Sequence, residues 1–536
     1  MTLALPEIIR RSNRWRLALA IFLLVYAALM RINLDYPAIQ WDETPHMHGG
    51  LLLSRGQFQE YIQTGAFYPP AFDVVTGLFF KILGASVFSA RLVTVAFSIL
   101  SVWAVFELAY KLYGQRTALV ASVLLASMPG FVWLSRMALL ETMLMFFFSI
   151  SLLLFFLWMR TNNNKTLFLS GLTLGVGFLV KYQALIGGII MLVTLLFMGR
   201  ERIVTKIGKF SFIVLIAVAV TLPWFFLTYQ QYASGTLETW FYSAQVGNDK
   251  RLAYSTRFPS PIFYLIEMTW PYPHVHPISI FVYIFTLLGL GFLLKRRKQE
   301  DKFLLIGFFV IYSVFTLITS KDWRYITLVF PILAISGSEF ILFLWDKAIK
   351  KLKLPNISFS TKKFTKIAAT VLVLLASGAV IYSSWEAYVW IESDQTPVPI
   401  GDACRYVAEN SALNETAVAL FTSNIFSIDM MRFYLETYGS GHRELLQYPE
   451  KPADVYASVP NERMLLLGLN VLVKRLEALN VKYLVLVESG NELYFNSTIR
   501  SSDVLESMLY TEQFVLEREF GIFPRRVFIL RFVSSS

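Results

Sequence analysis

Charge is what this sequence has little of. Asp, Glu, Lys and Arg make up 16% of its 536 residues, against 56% hydrophobic residues and a mean hydropathy of +0.54. Soluble domains carry about a quarter charged residues, so the bilayer must be the solvent for most of this chain. A single cysteine, Cys404, excludes an intrachain disulfide framework. No internal repeat and no low-complexity tract is present. A cleavable leader is not apparent either. After Arg10, Arg11, Arg14 and Arg16 the apolar run Leu17–Met30 lacks a small-residue cleavage site, and it reads as an uncleaved first span. The net charge of +11 would point a soluble protein toward nucleic acid. Here it reflects cytoplasmic loops rich in Lys and Arg, and no nucleic-acid partner is expected.

A spanning helix needs about 20 mostly apolar residues. Candidates centre on residues 15–32, 88–110, 117–134, 140–159, 166–180, 183–198, 210–229, 276–294, 303–319, 325–346 and 364–389. A twelfth run, "YPPAFDVVTGLFFKILG" (Tyr68–Gly84), is short, opens on Pro69-Pro70 and carries Asp73 and Lys81. If it crossed, "GRERIVTKIGK" and every later basic loop would move outside, against the positive-inside bias. It is therefore expected to lie along the interface. Eleven crossings remain, with the N-terminus cytoplasmic and the C-terminus outside. Residues 1–390 are then a transmembrane domain with large outer loops at 33–87 and 230–275. Residues 391–536 have a soluble composition. Their alternating runs "AVALFTS", "KYLVLVES" and "RVFILRFV", with the helical "VLVKRLEAL", predict a small extracytoplasmic α/β domain. Asn414 and Asn496 head glycosylation sequons there.

The polar residues of the membrane region fall on the outer side. "DYPAIQWDETPHMHGG" (Asp35–Gly50) opens the first outer loop and sets Asp42 beside Glu43. Adjacent carboxylates repel, so at least one holds its proton more tightly unless a cation is near, which suits a general base or a metal ligand. A solvated acidic pair accounts for the motif equally well. Arg136 and Glu141 flank one outer turn, Lys181 stands between two apolar runs, and Lys321 and Arg324 sit in "SKDWRYITLVFP". Any one of these cations alone reads as snorkelling toward headgroups. Three cationic outer turns facing a loop of carboxylates form a site for an anionic lipid headgroup. His46/His48 and His274/His276 are spaced i,i+2, which in an extended segment can put two imidazoles on one divalent metal. Without Cys ligands or a helical frame that signal is weak, and interfacial histidines explain it as well.

The series "WDE", "YPPAFDVVTGLFFKILG", "FSARLVTVAFSILSVWAVFELAYKLYG", "ASMPGFVWLSRMALLETMLMFF", "LSGLTLGVGFLVKYQALIGG" and "TLPWFFLTYQQY" resembles, in order and spacing over residues 10–345, the membrane glycosyltransferases of the GT-C fold. The protein O-mannosyltransferases and the lipid A aminoarabinose transferases look nearest. The resemblance implies a sugar donor linked to isoprenyl phosphate, a hydroxyl acceptor on a protein, lipid or glycan, and chemistry on the outer face. It implies that Asp42 is the catalytic acid of the "DE" motif, with Glu43 beside it, and that Arg136 and Lys181 occupy substrate-binding positions. Glu141 departs from the Asp of many relatives. Tyr68 stands where the aminoarabinose enzymes carry a Lys associated with the donor phosphate. A "WWD" signature, expected of an oligosaccharyltransferase, is missing. A low demand for a cofactor fits, since a phosphate neutralised by Arg and Lys can leave without a metal, and a divalent metal stays open as the alternative. A transporter or flippase of an anionic lipid-linked sugar would also want cations near the membrane, but such proteins show paired repeats and broken midplane helices. An enzyme resembling the O-antigen ligases, of another polytopic fold, is a third reading.

Overall fold

A computed structural model describes residues 5–35, 39–65, 69–199, 202–232, 257–270, 276–318, 321–352, 359–393, 398–420, 426–439, 443–448, 462–489, 500–523 and 525–533. The chain divides into two compact units. The first comprises Met1–Ile32, Gln59–Phe72 and Arg91–Glu392; the second comprises Asn33–Phe58, Asp73–Ala90 and Ser393–Ser536.

The first unit is helical throughout its described residues. Five stretches are long and apolar enough to cross a membrane: Val87–Tyr113, Glu141–Thr161, Ile203–Gln231, Thr327–Lys347 and Thr370–Val389. The helices Asn164–Val180 and Leu185–Met198 are apolar but shorter. The run at 117–134, expected as one span, is two helices, Gln115–Ser127 and Pro129–Leu134. Proline disfavours helical backbone in the residue before it, and Met128 is extended at φ −68°, ψ 122°. The turn "RTNNNK" is built from its asparagines. Asn162 stops the Glu141–Thr161 helix in the left-handed conformation (φ 52°), and the Asn163 side chain caps the next helix by accepting from the Lys165 N–H at 3.0 Å.

Helices in lipid gain little from hydrophobic association, so small residues decide where they meet. Gly171 and Gly175, four apart on one face of Asn164–Val180, let that helix approach Ile203–Tyr232. A Cβ at either would stand 2.9 Å from a backbone oxygen, of Ile213 and Ala217 respectively. Gly289 of the Ile280–Arg296 helix is tighter still. A Cβ there would lie 2.3 Å from the Ser336 carbonyl oxygen of the Phe330–Leu352 helix.

The second unit carries a five-stranded sheet of order β2-β1-β3-β5-β4: β1 Thr416–Leu420, β2 Leu445–Tyr448, β3 Val481–Ser489, β4 Phe514–Ile522 and β5 Arg525–Phe532. β1 runs parallel to β2 and β3, while β5 is antiparallel to β3 and β4. The alternation of each strand aims Val418, Leu420, Leu484, Leu486, Phe528 and Leu530 at one face. There they pack with Leu472 and Leu476 of the helix Glu462–Glu477 and Val504 and Met508 of Ser501–Leu509. Two helices from the front of the chain, Thr44–Ser54 and most of Ala71–Leu83, belong to this unit, and they too cross at glycines: a Cβ on Gly50 would meet Thr76 at 2.7 Å.

Gly289→Ala should cost about 1–3 kcal/mol, because the obstructing atoms are backbone and cannot rotate away. Gly291→Ala, on the same helix with nothing within 4 Å of its Cβ, should be neutral or stabilising by up to ~1 kcal/mol. Thermal unfolding of both variants in one detergent checks the contrast, and equal shifts would contradict it.

Candidate active site

Trp41–Glu43 form a short 3-10 turn that runs into the helix Thr44–Ser54, with Pro45 in its first turn. The two neighbouring carboxylates have different surroundings. Glu43 is fully buried, and its Oε2 accepts the backbone N–H of Gln40 at 2.8 Å, closing the turn. Asp42 is exposed. One carboxylate thus shapes the turn that displays the other.

The histidines that follow have separate partners. They sit on a helix rather than an extended segment, where residues two apart point to different sides. His46 Nδ1 bonds Asp73 Oδ1 at 2.8 Å, with both side chains buried. His48 Nε2 meets Glu436 Oε2 at 3.1 Å, and the Arg55 guanidinium donates to the Glu436 carbonyl oxygen. The two imidazoles therefore serve two separate carboxylates and fasten the helix inside the second unit. His276, whose Nδ1 bonds Glu386 Oε1 at 2.8 Å, belongs to the first unit. Among the described residues no three His, Cys, Asp or Glu side chains gather as a metal site. His274 and Tyr68 lie outside the described residues.

In the first unit, three turns pack at one end of the helices. The Gly130 N–H donates to the Pro277 carbonyl oxygen at 2.8 Å, and the Trp133 and Trp323 rings lie 5.8 Å apart, joining the turn of Arg136 to that of Arg324. Lys181, which looked solitary in sequence, ion-pairs with Glu141 Oε1 at 2.9 Å. The Glu141 side chain is 4% exposed, and its Oε2 is buried without a hydrogen-bond partner among the described residues. A half-satisfied buried carboxylate leaves an acceptor for a hydroxyl or amine donor. The Arg136 guanidinium, 2% exposed, donates to the Met30 carbonyl oxygen at 2.7 Å. Burial, and then the charge of the fully buried Arg91, pull its pKa down to about 10. Arg91 was overlooked in "FSARLVT", because an arginine near a helix start reads as an ordinary interfacial residue.

Lys321 and Arg324 are engaged locally. The Lys321 ammonium donates to the carbonyls of Phe315 (3.1 Å), Thr316 (2.9 Å) and Ile318, where the Gln299–Leu317 helix ends. It acts as a side-chain cap of that helix end. Arg324 pairs with Asp322, Nη2 to Oδ2 at 3.2 Å.

The profile of the dolichyl-phosphate-mannose-protein mannosyltransferase family matches residues 68–226. An uncharacterised protein of Aquifex aeolicus (strain VF5) is 24% identical over 383 residues, 68% of this chain and 70% of its own. ArnT from Cupriavidus metallidurans superposes in its apo state with a TM-score of 0.64 at 15% identity, covering 97% of this chain and 98% of ArnT. Bound to undecaprenyl phosphate it gives 0.66 at 14% identity, covering 96% and 98%. The oligosaccharyltransferase AglB from Archaeoglobus fulgidus, in complex with an inhibitory peptide and a dolichol-phosphate, gives 0.55 at 15% identity, covering 88% and 69%. The same archaeal enzyme has been crystallised with Zn and sulfate. The chain is a membrane protein with the GT-C fold, similar over nearly its whole length to ArnT and resembling the mannosyltransferases in residues 68–226.

Proposed function

We propose that the protein transfers a sugar from an isoprenyl-phosphate carrier to a hydroxyl acceptor at the outer face of the membrane. The observation that carries this reading is the full-length likeness to ArnT, whose ligand in one structure is undecaprenyl phosphate, in a chain that also has the acidic turn at Asp42. In this reading the Asp42 carboxylate takes the proton of the acceptor hydroxyl. The freed oxygen pair attacks the anomeric carbon, and the bond to the phosphate oxygen breaks with its electrons leaving on the carrier. Glu43 positions Asp42 through the turn it closes. Arg136 and Lys181 offset the charge of the departing phosphate, and Glu141 both holds Lys181 and offers Oε2 to the sugar. The acceptor is a protein, lipid or glycan hydroxyl.

The orientation is part of the proposal: eleven crossings, a cytoplasmic N-terminus, and residues 391–536 outside. The basic turns between Tyr110 and Arg116, Arg160 and Lys165, and Lys295 and Lys302 support it, since they alternate along the chain with the turns of Arg136, Lys181 and Arg324.

Transfer from a purified lipid-linked sugar in liposomes tests the chemistry. Asp42→Asn should lower turnover about 10²–10⁴-fold with donor binding retained. Near-normal turnover would remove the carboxylate from the reaction, and movement of the lipid-linked sugar across the bilayer without transfer would favour a flippase. Lys181→Ala should weaken donor binding by about 1.5–3 kcal/mol, measured by titration of the donor. An unchanged affinity with intact folding would confine the lysine to its pair with Glu141. Cysteine labelling tests the orientation. The natural thiol of Cys404 is buried and its pKa is pushed well above the usual range, so it stays silent. Asn414→Cys should react with an impermeant reagent on intact cells and Lys302→Cys should not; the opposite pattern would invert the topology.

A further inference from the structure

A cavity of about 1680 Å³ in the first unit opens at the end of the helices where the basic turns lie, and the proposed transferase makes no use of it. Arg14, Arg116, Arg296, Lys298 and Lys347 line it, against the carboxylates Glu339 and Asp346. The floor is a closed network. Arg296 is bonded to Asp301 (2.6 Å) and Glu339 (2.6 Å), Thr117 also donates to Glu339 (2.6 Å), and Tyr113 donates to Asp301 (2.7 Å). Arg296 is thus shared between two carboxylates and is not free for an anion. At the rim the balance differs. Arg116 reaches Asp346 only at 3.5 Å, with both side chains more than half exposed, a contact worth little in water. Arg14 and Lys298 have no carboxylate partner among the described residues, and Lys347 lies over the Phe343 ring at 5.7 Å. The mouth of the cavity is a ring of cations with an excess of positive charge.

A second feature adjoins it. An apolar groove of about 470 Å³ runs between the helices Gln115–Ser127, Phe330–Leu352 and Phe359–Ser393. Leu342 lines both spaces, and the Gln115–Ser127 helix leads from one to the other: Arg116 and Thr117 face the cavity, while Leu119, Val123 and Leu124 face the groove. At 1.5 Å per residue this carries the wall about 10 Å from the cations into the apolar span. The floor of the cavity is polar and the walls of the groove are hydrocarbon. A phosphate headgroup fits the first and an acyl chain the second.

We propose that this cavity and groove bind one anionic phospholipid, its headgroup phosphate among Arg14, Arg116, Lys298 and Lys347 and an acyl chain against Leu119, Val123 and Ala376. Its lining shares no residue with the proposed donor contacts Arg136, Glu141 and Lys181, and it does not rest on the transferase reading. The lipid would tie the Gln115–Ser127 helix to Phe330–Leu352 and Phe359–Ser393, the last of which is mostly exposed along its apolar span.

Native mass spectrometry of the full chain in detergent tests this, with added phosphatidylglycerol or phosphatidylcholine of matched chains. Phosphatidylglycerol should bind at least tenfold more tightly, and R116Q/K347Q should abolish that preference while eluting as the same monodisperse species. If that variant does not fold, R14Q/K298Q carries the same expectation. A376W should weaken long-chain phosphatidylglycerol while sparing its dihexanoyl analogue. Equal binding of the two lipids, or a preference that survives both double variants, overturns the proposal. Full competition by millimolar inorganic diphosphate would also overturn it, assigning the cavity to a soluble anion.

Discussion

A charge that leaves water must meet its counter-charge or enough hydrogen-bond partners inside the protein, and the helical unit is organised around that demand. Lys181 and Glu141 join the end of one apolar helix to the start of another. Arg296 holds two carboxylates, one beyond its own turn and one on a neighbouring helix. Lys321 folds back on the carbonyls of the helix it follows. The three cations stand at helix ends, where the backbone itself has unsatisfied groups, and Glu339 meets Arg296 from the middle of its own helix. Helix interiors use a different device, glycine and serine, whose small size brings backbones together and whose hydroxyls bond neighbouring carbonyls. Ser101 to Thr142 (2.8 Å) and Ser383 to Ser127 (2.6 Å) are two such links. The division of labour is physical: hydroxyls tolerate apolar depth, and ammonium and guanidinium groups do not.

Much of this was legible in the sequence, because apolar length and period are local properties. The cores of the long helices, the late start of the helix Ala71–Leu83 behind Pro69-Pro70, and the strands under "AVALFTS", "KYLVLVES" and "RVFILRFV" all follow from residues near one another in the chain. The break at Met128 was masked by the apolar continuity on both sides, although Pro129 disfavours helical backbone before it. What stayed hidden was pairing. Nothing near His48 points to Glu436, and nothing near Lys181 points to Glu141, forty residues earlier. The doublet at Asp42 and Glu43 shows the same limit. Its two carboxylates looked alike in sequence, and only the backbone path separates the buried one, which closes the turn, from the exposed one. That separation makes a single member of the doublet available for chemistry.

The composition of the second unit has a consequence for how the protein is made. Its early segments, Asn33–Phe58 and Asp73–Ala90, are complete long before Ser393–Ser536 exists. His48 and its partner Glu436 lie 388 residues apart. At about 5–20 residues per second, the first loop waits roughly 20–80 s after its synthesis before that carboxylate leaves the ribosome. Through that interval the residues of the Gly50–Gly77 crossing and of the His46–Asp73 bond are all present, while Glu436 is not. The strands of the sheet follow late in the chain, and the bond from His48, on the helix behind the Asp42 turn, waits for Glu436. A chain truncated anywhere before residue 436 would carry the complete sequence of its acidic turn on a unit without the carboxylate that His48 bonds.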